Sequence, residues 1–238
     1  MGEKELSFIE HLEELRVRLI KCILAWVVGT AAVYHFNGRI LEFLARPVGK
    51  LVFLEPVEAF ATSLRIALWG GFFAASPVII YQVWRFIGTG LEPNERKWIK
   101  IHGPFSLLLF LLGLVFGVYL LLKFGIKFLL AFGSEAVTPM FSVSRYVSFV
   151  GNMGLAFGLV FQLPLLMLFA VKIGLVTPAV LARGWRAAVV LIFVAAGLLT
   201  PGPDVFSQLA MAVPLLALFG LGLFLAYLFP KESPDAGT

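Results

Sequence analysis

The sequence alternates between six long apolar stretches without a charged residue and shorter polar connections. The stretches cover residues 22–38, 66–84, 103–122, 146–171, 187–203 and 205–230. A helix needs about 20 apolar residues to cross a hydrocarbon core about 30 Å thick, so each stretch is a candidate transmembrane helix. The pattern predicts an all-α, polytopic integral membrane protein. We expect one domain of six transmembrane helices over residues 1–230 and a disordered tail over residues 231–238.

The last two predicted helices are short. The fifth stretch is apolar without interruption only over residues 187–199, which extend about 20 Å as a helix. A compact turn, Thr200-Pro201-Gly202-Pro203-Asp204, joins it to the sixth stretch. We therefore expect a short helical hairpin at this end of the chain, which thins the nearby bilayer or admits water at one face.

The distribution of basic residues predicts the orientation in the membrane. Six spans place both termini on the same side, and the segments on that side hold 12 Lys and Arg, against 7 in the opposite segments. Basic residues accumulate on the cytoplasmic side of a membrane protein. We expect both termini to be cytoplasmic. Five glutamates precede the first stretch, where a cleaved leader would have basic residues, so this stretch is expected to be retained.

Local sequence signals predict where several helices begin. Ser7 and Glu10 form a capping box ahead of the first stretch. Pro56 together with Glu58 can begin an outer helix that leads into the second stretch. Thr177 followed by Pro178 is typical of a helix start, and Asp204 is well placed to cap the sixth helix. These signals extend several of the predicted helices beyond their apolar stretches.

Composition excludes a water-soluble globule. Apolar residues make up 60% of the chain, charged residues only 14%, and the mean hydropathy is +0.96, whereas soluble domains contain about 25% charged residues. The net charge of +5 does not indicate nucleic acid, because the basic residues flank apolar stretches, where they contact lipid headgroups. The single cysteine, Cys22, cannot form an internal disulfide and is expected to pack as a small hydrophobe.

The sequence contains no familiar catalytic or metal-binding motif. It has no G-x-S-x-G elbow, no H-E-x-x-H pair and no glycine-rich phosphate loop, and its three histidines fall in three different junctions. We therefore expect neither an enzyme nor a metal or cofactor site. Two G-x-x-x-G spacings, Gly113 to Gly117 and Gly154 to Gly158, favour close helix packing over a specific dimer face.

Two carboxylates near the predicted cytoplasmic boundary are candidate ligand-binding groups. Glu95 has Trp98 at i+3 and Ile99 at i+4, so it lacks an intrahelical cation at these spacings; solvated surface charge and an external ligand are both open. Glu14 has Arg18 at i+4, which favours an ordinary helix ion pair. Together the two carboxylates could accept two bidentate guanidinium groups beside an apolar groove, which suits a peptide that is basic and then apolar.

One polar residue, Gln162, lies near the middle of the fourth apolar stretch and is followed two residues later by Pro164. Burying an amide there is costly without a hydrogen bond. Gln162 therefore either links helices, which we favour, or faces a wet cavity.

Four sequence strings lie at junctions of the predicted helices. They are His11-Leu12-Glu13-Glu14-Leu15-Arg16, Tyr81-Gln82-Val83-Trp84-Arg85-Phe86, Asn94-Glu95-Arg96 and Leu199-Thr200-Pro201-Gly202-Pro203-Asp204-Val205-Phe206-Ser207-Gln208. In this order and topology they resemble the TatC family, the multispan subunit of the twin-arginine (Tat) protein translocase. The resemblance extends from about Ser7 to Phe229.

The resemblance implies a cup-like receptor of six helices in the cell inner membrane. Such a receptor binds the paired-arginine signal peptides of folded precursor proteins at its cytoplasmic face. Glu14 and Glu95 match the recognition glutamates of the family, Phe86 matches an aromatic position at the start of the same loop, and Arg16 belongs to the amino-terminal motif. We also expect self-association of the chain.

The resemblance also implies partners and an energy source. Thr200 and Gln208 match a polar patch where the single-span proteins TatA and TatB dock, and the family uses proton-motive force without a nucleotide site. Its members commonly carry a glutamate in the fourth span, where this chain has Gln162. A glutamine does not titrate, so proton exchange at this position is not expected here.

Two rival functions remain on the sequence alone. A small-solute secondary transporter would use Gln162 and the broken last hairpin as a site at the membrane midplane, but the two halves show no visible repeat. An intramembrane hydrolase would need a nucleophile and a base that the sequence does not provide.

Overall fold

A computed structural model describes residues 8–91, 93–126, 140–199 and 205–229. These parts of the chain are almost entirely helical, as the apolar pattern predicts. The helices are α1 (Phe8–Tyr34), α2 (Asn37–Ala45), α3 (Glu58–Thr89), α4 (Pro93–Leu120), α5 (Val143–Val160), α6 (Leu163–Lys172), α7 (Pro178–Arg183), α8 (Trp185–Leu199) and α9 (Val205–Leu228). A π-helical turn, Leu121–Gly125, follows α4, and the two short strands are β1 (Leu51–Val52) and β2 (Phe141–Ser142).

Within the described ranges, five helical segments are long and apolar enough to cross a membrane. They are Ile9–Tyr34, Glu58–Thr89, Ile99–Leu120, Val143–Lys172 and Met211–Leu228. The fifth predicted stretch forms only the shorter apolar helix Trp185–Leu198. Large apolar side chains are exposed along these helices, for example Val28 (68%) in α1 and Leu198 (82%) in α8. Exposed apolar surface on this scale needs lipid as its solvent, so the chain is a multi-pass membrane protein.

Several predicted helix boundaries agree with the structure. The Thr177 hydroxyl accepts a hydrogen bond from the backbone N–H of Val180 at 3.4 Å, as expected for the cap of α7. Pro56 lies in the turn before α3, and the helix itself begins at Glu58. The fourth apolar stretch is interrupted between α5 and α6, immediately before Pro164. Ser7, Thr200, Asp204 and the tail 231–238 lie outside the described residues.

The chain divides into two compact units. The first comprises Met1–Leu107 and Leu122–Gly151, and the second comprises Leu108–Leu121 and Asn152–Thr238. The prediction of a single domain over residues 1–230 stays a prediction.

In the first unit, α1 packs closely along α3. A Cβ atom at Gly29 would lie 2.7 Å from the carbonyl oxygen of Gly71, so small residues allow the two backbones to approach. The indole N–H of Trp26 donates a hydrogen bond to the carbonyl of Leu68 at 2.9 Å. The side-chain amide of Asn37 donates to the carbonyl of Ser63 at 2.9 Å. The first two contacts fix the second half of α1 against α3, and the third fixes the start of α2 against the same helix.

The first unit also contains a joint that the sequence did not predict. Strands β1 and β2 pair in parallel, with Leu51 opposite Phe141. Next to this pair, the Tyr146 hydroxyl donates a hydrogen bond to the carbonyl of Leu44 in α2 at 2.7 Å. Helix α2 was also absent from our expectations, because most of its nine residues fall in the polar connection after the first apolar stretch.

In the second unit, α9 packs against α6 and α8. A Cβ atom at Gly222 of α9 would lie 3.0 Å from the Cα atom of Pro164. The glycines of the predicted close-packing motifs also lie at tight contacts: Gly117 faces Phe157, and Gly158 faces the ring of Phe110. This confirms that at least these glycines serve close helix packing.

Candidate functional site

A groove of about 1160 Å³ lies within the first unit, between α1, α3 and α4. We call it the polar groove. Its apolar side chains include Ile80, Trp84, Ile99 and Leu107, and its charged residues are Glu10, Glu14, Arg18, Arg85, Arg96 and Lys100. The groove therefore presents charged groups next to an apolar surface, which suits a ligand with both characters.

Glu14 lies in the polar groove but is already paired with Arg18. One terminal nitrogen of the Arg18 guanidinium contacts the Glu14 carboxylate, at the i,i+4 spacing that predicts such a pair. The other terminal nitrogen donates a hydrogen bond to the Gln82 side-chain oxygen at 3.0 Å. Arg18 is buried, with 9% of its surface exposed, and its Nε has no hydrogen-bond partner among the described residues.

A second arginine, Arg85, is held by its own helix. Its guanidinium donates to the Tyr81 hydroxyl at 3.0 Å and lies 5.9 Å from the centre of the same ring, within the range of a cation–π contact. Arg96 on α4 donates through Nε to the carbonyl of Leu91 at 3.2 Å. Both side chains are exposed and line the polar groove, so they leave charge available to a ligand.

The described lining of the polar groove has more positive than negative charge. Four cations, Arg18, Arg85, Arg96 and Lys100, face two carboxylates, Glu10 and Glu14. These described charges do not by themselves attract a cationic ligand, so such a ligand would need directional hydrogen bonds to a carboxylate.

The remaining predicted binding residues lie in three different settings. Phe86 stacks on His11 of α1, with ring centroids 4.5 Å apart. Arg16 is exposed on α1 and is not among the described residues that line the polar groove. Glu95 belongs to the first turn of α4, but its side chain lies outside what the structure describes.

The polar residues predicted in the second half of the chain lie in the second unit. Gln162, at the interruption between α5 and α6, donates a hydrogen bond from its amide to the carbonyl of Gly158 at 3.4 Å. Gln208 of α9 donates to the carbonyl of Phe193 in α8 at 2.9 Å. Thr200, its predicted companion, is outside the described residues. Over the described ranges, no group of three or more His, Cys, Asp or Glu could hold a metal ion.

Sequence reasoning missed several members of the polar groove. The Tyr81–Arg85 pair has i,i+4 spacing and could have been found from that signal. Gln82 reaches Arg18 from 64 residues away in the sequence, so no local pattern reveals the contact. The contributions of Lys100 and Trp84 likewise depend on how α3 and α4 pack.

The fold and the groove define a class: a multi-pass helical membrane protein with a polar groove between three of its helices. Comparison with known proteins makes this specific. A family model described as Sec-independent protein translocase protein (TatC) matches residues 10–214. The chain belongs to the TatC family and is therefore a component of the Sec-independent, or Tat, protein translocation system.

Individual relatives agree along nearly the whole chain. The Sec-independent protein translocase protein TatC of Carboxydothermus hydrogenoformans is 39% identical over 237 residues, covering 98% of each chain. The protein of the same name from Aquifex aeolicus is 37% identical, covering 95% of this chain and 97% of the relative. A crystal structure described as the twin arginine translocase receptor TatC superimposes with a TM-score of 0.80 at 38% identity, covering 92% of this chain and 99% of that one.

Proposed function

We propose that this chain is the receptor subunit of the twin-arginine translocase and that the polar groove binds the paired-arginine signal peptide of folded precursor proteins. In this proposal six helices cross the cell inner membrane in a cup-like arrangement, with both termini and the groove on the cytoplasmic side. The role is binding and organisation, without catalysis or a cofactor.

The observation that carries the proposal is the carboxylate of Glu14, which together with Glu10 lies in a groove whose other described residues are largely apolar or positively charged. The carboxylate can bind one guanidinium through two parallel hydrogen bonds. The apolar side chains alongside, such as Ile80 and Leu107, can hold the hydrophobic part of a signal peptide. A ligand that is basic and then apolar matches both parts.

Glu95 is proposed as the acceptor for the second arginine. It lies four residues before Ile99, that is, on the same face of α4. Ile99 lines the polar groove, as does Lys100 one residue later. This helical spacing supports a second carboxylate on the groove side of α4.

The excess of cations in the polar groove supports selectivity for arginine over lysine. Arg85, Arg96 and Lys100 repel every cationic ligand to a similar extent. A planar guanidinium gains bidentate hydrogen bonds that offset this repulsion, whereas a lysine ammonium interacts as a point charge. Phe86, stacked on His11, and Arg16 are proposed to support this end of α1 during binding.

Partner binding is proposed at the last helical hairpin. Gln208 donates to the Phe193 carbonyl and so links α9 to α8. With Thr200 it would form a polar patch for the single-span proteins TatA and TatB, next to lipid. Self-association of the chain belongs to the same proposal.

The proposal is tested by measuring the affinity of the purified chain, in nanodiscs, for a signal peptide with paired arginines. Glu14→Gln and Glu95→Gln should each weaken binding at least about tenfold, because each removes one charge-assisted pair. Glu13→Gln is the matched control, since Glu13 is exposed and adjacent to Glu14.

Equal binding of a paired-lysine peptide, or intact binding by both glutamine variants, would show that the proposal is wrong. Transport of a small solute by the purified chain in vesicles, without single-span partners, would favour a secondary transporter instead.

A further inference from the structure

Arg18 holds the groove carboxylate that the proposed ligand needs. Its guanidinium divides its terminal nitrogens between Glu14 and Gln82. The side chain is buried, yet Nε lacks a hydrogen-bond partner among the described residues. A buried donor without an acceptor is unfavourable, so Arg18 is not bound as well as a guanidinium can be.

We propose that Arg18 is an internal competitor for the arginine of the signal peptide. In the resting receptor Arg18 occupies Glu14, and the incoming arginine takes over that carboxylate while Arg18 turns aside. The inference rests on the proposed function, since it specifies how the same groove admits its ligand. It makes Arg18 a specificity-determining residue that never needs to contact the passenger protein.

The exchange is close to balanced, because one guanidinium replaces another on the same carboxylate. Arg18 approaches Glu14 along one face of α1. One terminal nitrogen of its guanidinium contacts the Glu14 carboxylate, and the other donates a hydrogen bond to the Gln82 side-chain oxygen. An arginine arriving from the groove can instead offer Glu14 two parallel N–H donors. The second charge-assisted hydrogen bond, which corresponds to about tenfold in affinity, then drives the exchange.

Competition by Arg18 lowers the affinity for the signal peptide and raises the selectivity for arginine over lysine. If Arg18 releases Glu14 for only about a tenth of the time, the apparent dissociation constant of the signal peptide is about tenfold larger than it would be at a free site. A lysine in the ligand gains less from Glu14 than a guanidinium does, so it displaces Arg18 poorly. A competitor of this kind therefore penalises lysine more than arginine.

The test compares Arg18→Gln with the unmodified chain in the nanodisc assay described above. We expect Arg18→Gln to bind the paired-arginine peptide about tenfold more tightly and to reduce the preference over a paired-lysine peptide. Lys21→Gln is the matched control: it removes one positive charge from an exposed position three residues further along α1 and should leave both quantities within about twofold.

A second variant keeps every charge in the groove. Gln82→Met removes the acceptor that helps to hold Arg18 in place and should tighten binding about threefold. If Arg18→Gln does not fold, Gln82→Met still tests the inference. Unchanged or weaker binding in the folded variants would overturn the inference.

A double mutant separates this inference from the proposed function. In a Glu14→Gln background, the further change Arg18→Gln should no longer improve binding, because the contested carboxylate is gone. If Glu14→Gln alone leaves binding intact, the proposed function fails. If Glu14→Gln weakens binding but Arg18→Gln does not strengthen it, only the competitor is wrong.

Discussion

The carboxylate of Glu58, the first residue of α3, accepts a hydrogen bond from the backbone N–H of Ser144 at 3.0 Å, across 86 residues of sequence. The same carboxylate accepts hydrogen bonds from the Ser142 hydroxyl and from the backbone N–H of Leu54, the latter at 2.5 Å. Glu58 is buried. Its charge is therefore compensated by three donors from two separate segments, which it ties together next to the β1–β2 pair.

Replacing Glu58 with glutamine should destabilise the first unit. The change removes the negative charge and places an amide nitrogen among groups that donate hydrogen bonds. We expect thermal unfolding in detergent to shift down by about 5 °C or more. Glu55→Gln is the control, because Glu55 is exposed in the same turn and should leave the midpoint unchanged. Equal midpoints for the two variants would contradict a structural role for the Glu58 carboxylate.

Replacing Gly71 with alanine should separate α1 from α3. A Cβ atom at this position would lie 2.5 Å from the Cα atom of Thr30, which is part of the α1 backbone and cannot move alone. The expected cost is about 1–3 kcal/mol of unfolding free energy. Gly220→Ala in α9 meets no atom within 4 Å and serves as the control. Unfolding in increasing dodecyl sulfate measures both, and comparable stabilities would argue against the close approach.

Truncating Phe86 to alanine should weaken signal-peptide binding about threefold to tenfold without unfolding the chain. The ring stacks on His11, and this contact joins α3 to the first turns of α1, which also carry Glu14. Val83→Ala, at an exposed position of the same helix, should have no effect. Peptide titration gives the affinities, and circular dichroism verifies the fold. An affinity equal to that of Val83→Ala would show that Phe86 does not contribute to signal-peptide binding.

Replacing Gln162 with leucine should change the unfolding free energy only slightly. Its amide bonds the Gly158 carbonyl one turn earlier at 3.4 Å, and side-chain hydrogen bonds in membrane proteins contribute about 0.6 kcal/mol on average. We expect a loss of less than about 1 kcal/mol and retained protein transport in vesicles. A stable variant that no longer transports would instead indicate that Gln162 acts in a wet cavity.

The sequence predicts the helices of this protein well, for a physical reason. Lipid offers no hydrogen bonds, so long apolar segments must satisfy their backbone internally as helices, and their length follows from bilayer thickness. The apolar stretch over residues 66–84 thus identifies α3, although the helix extends to Glu58–Thr89. Residues 205–230 identify α9 in the same way.

Other parts of the fold depend on contacts between distant residues and give no local signal. The two-residue strands Leu51–Val52 and Phe141–Ser142 are too short for a period of two to be visible. Glu58 was expected to begin a helix, but its buried hydrogen bonds come from Ser142 and Ser144, far along the chain.

The candidate site was predicted only in part, because some of its contacts also join residues that are far apart in the sequence. The i,i+4 spacing of Glu14 and Arg18 predicted their ion pair. Gln82, which completes the pair, comes from another helix and could not be found from spacing.

The pairing of β1 with β2 has a consequence for biosynthesis. The chain between the two strands contains the whole of α3 and α4, each of which includes a segment long and apolar enough to cross a membrane. The strands can meet only after both helices have been inserted with the correct polarity. Until then the Glu58 carboxylate lacks its partners from the β2 segment. Closure of this joint therefore follows the insertion of α3 and α4, and it ties the segment before this helix pair to the segment after it.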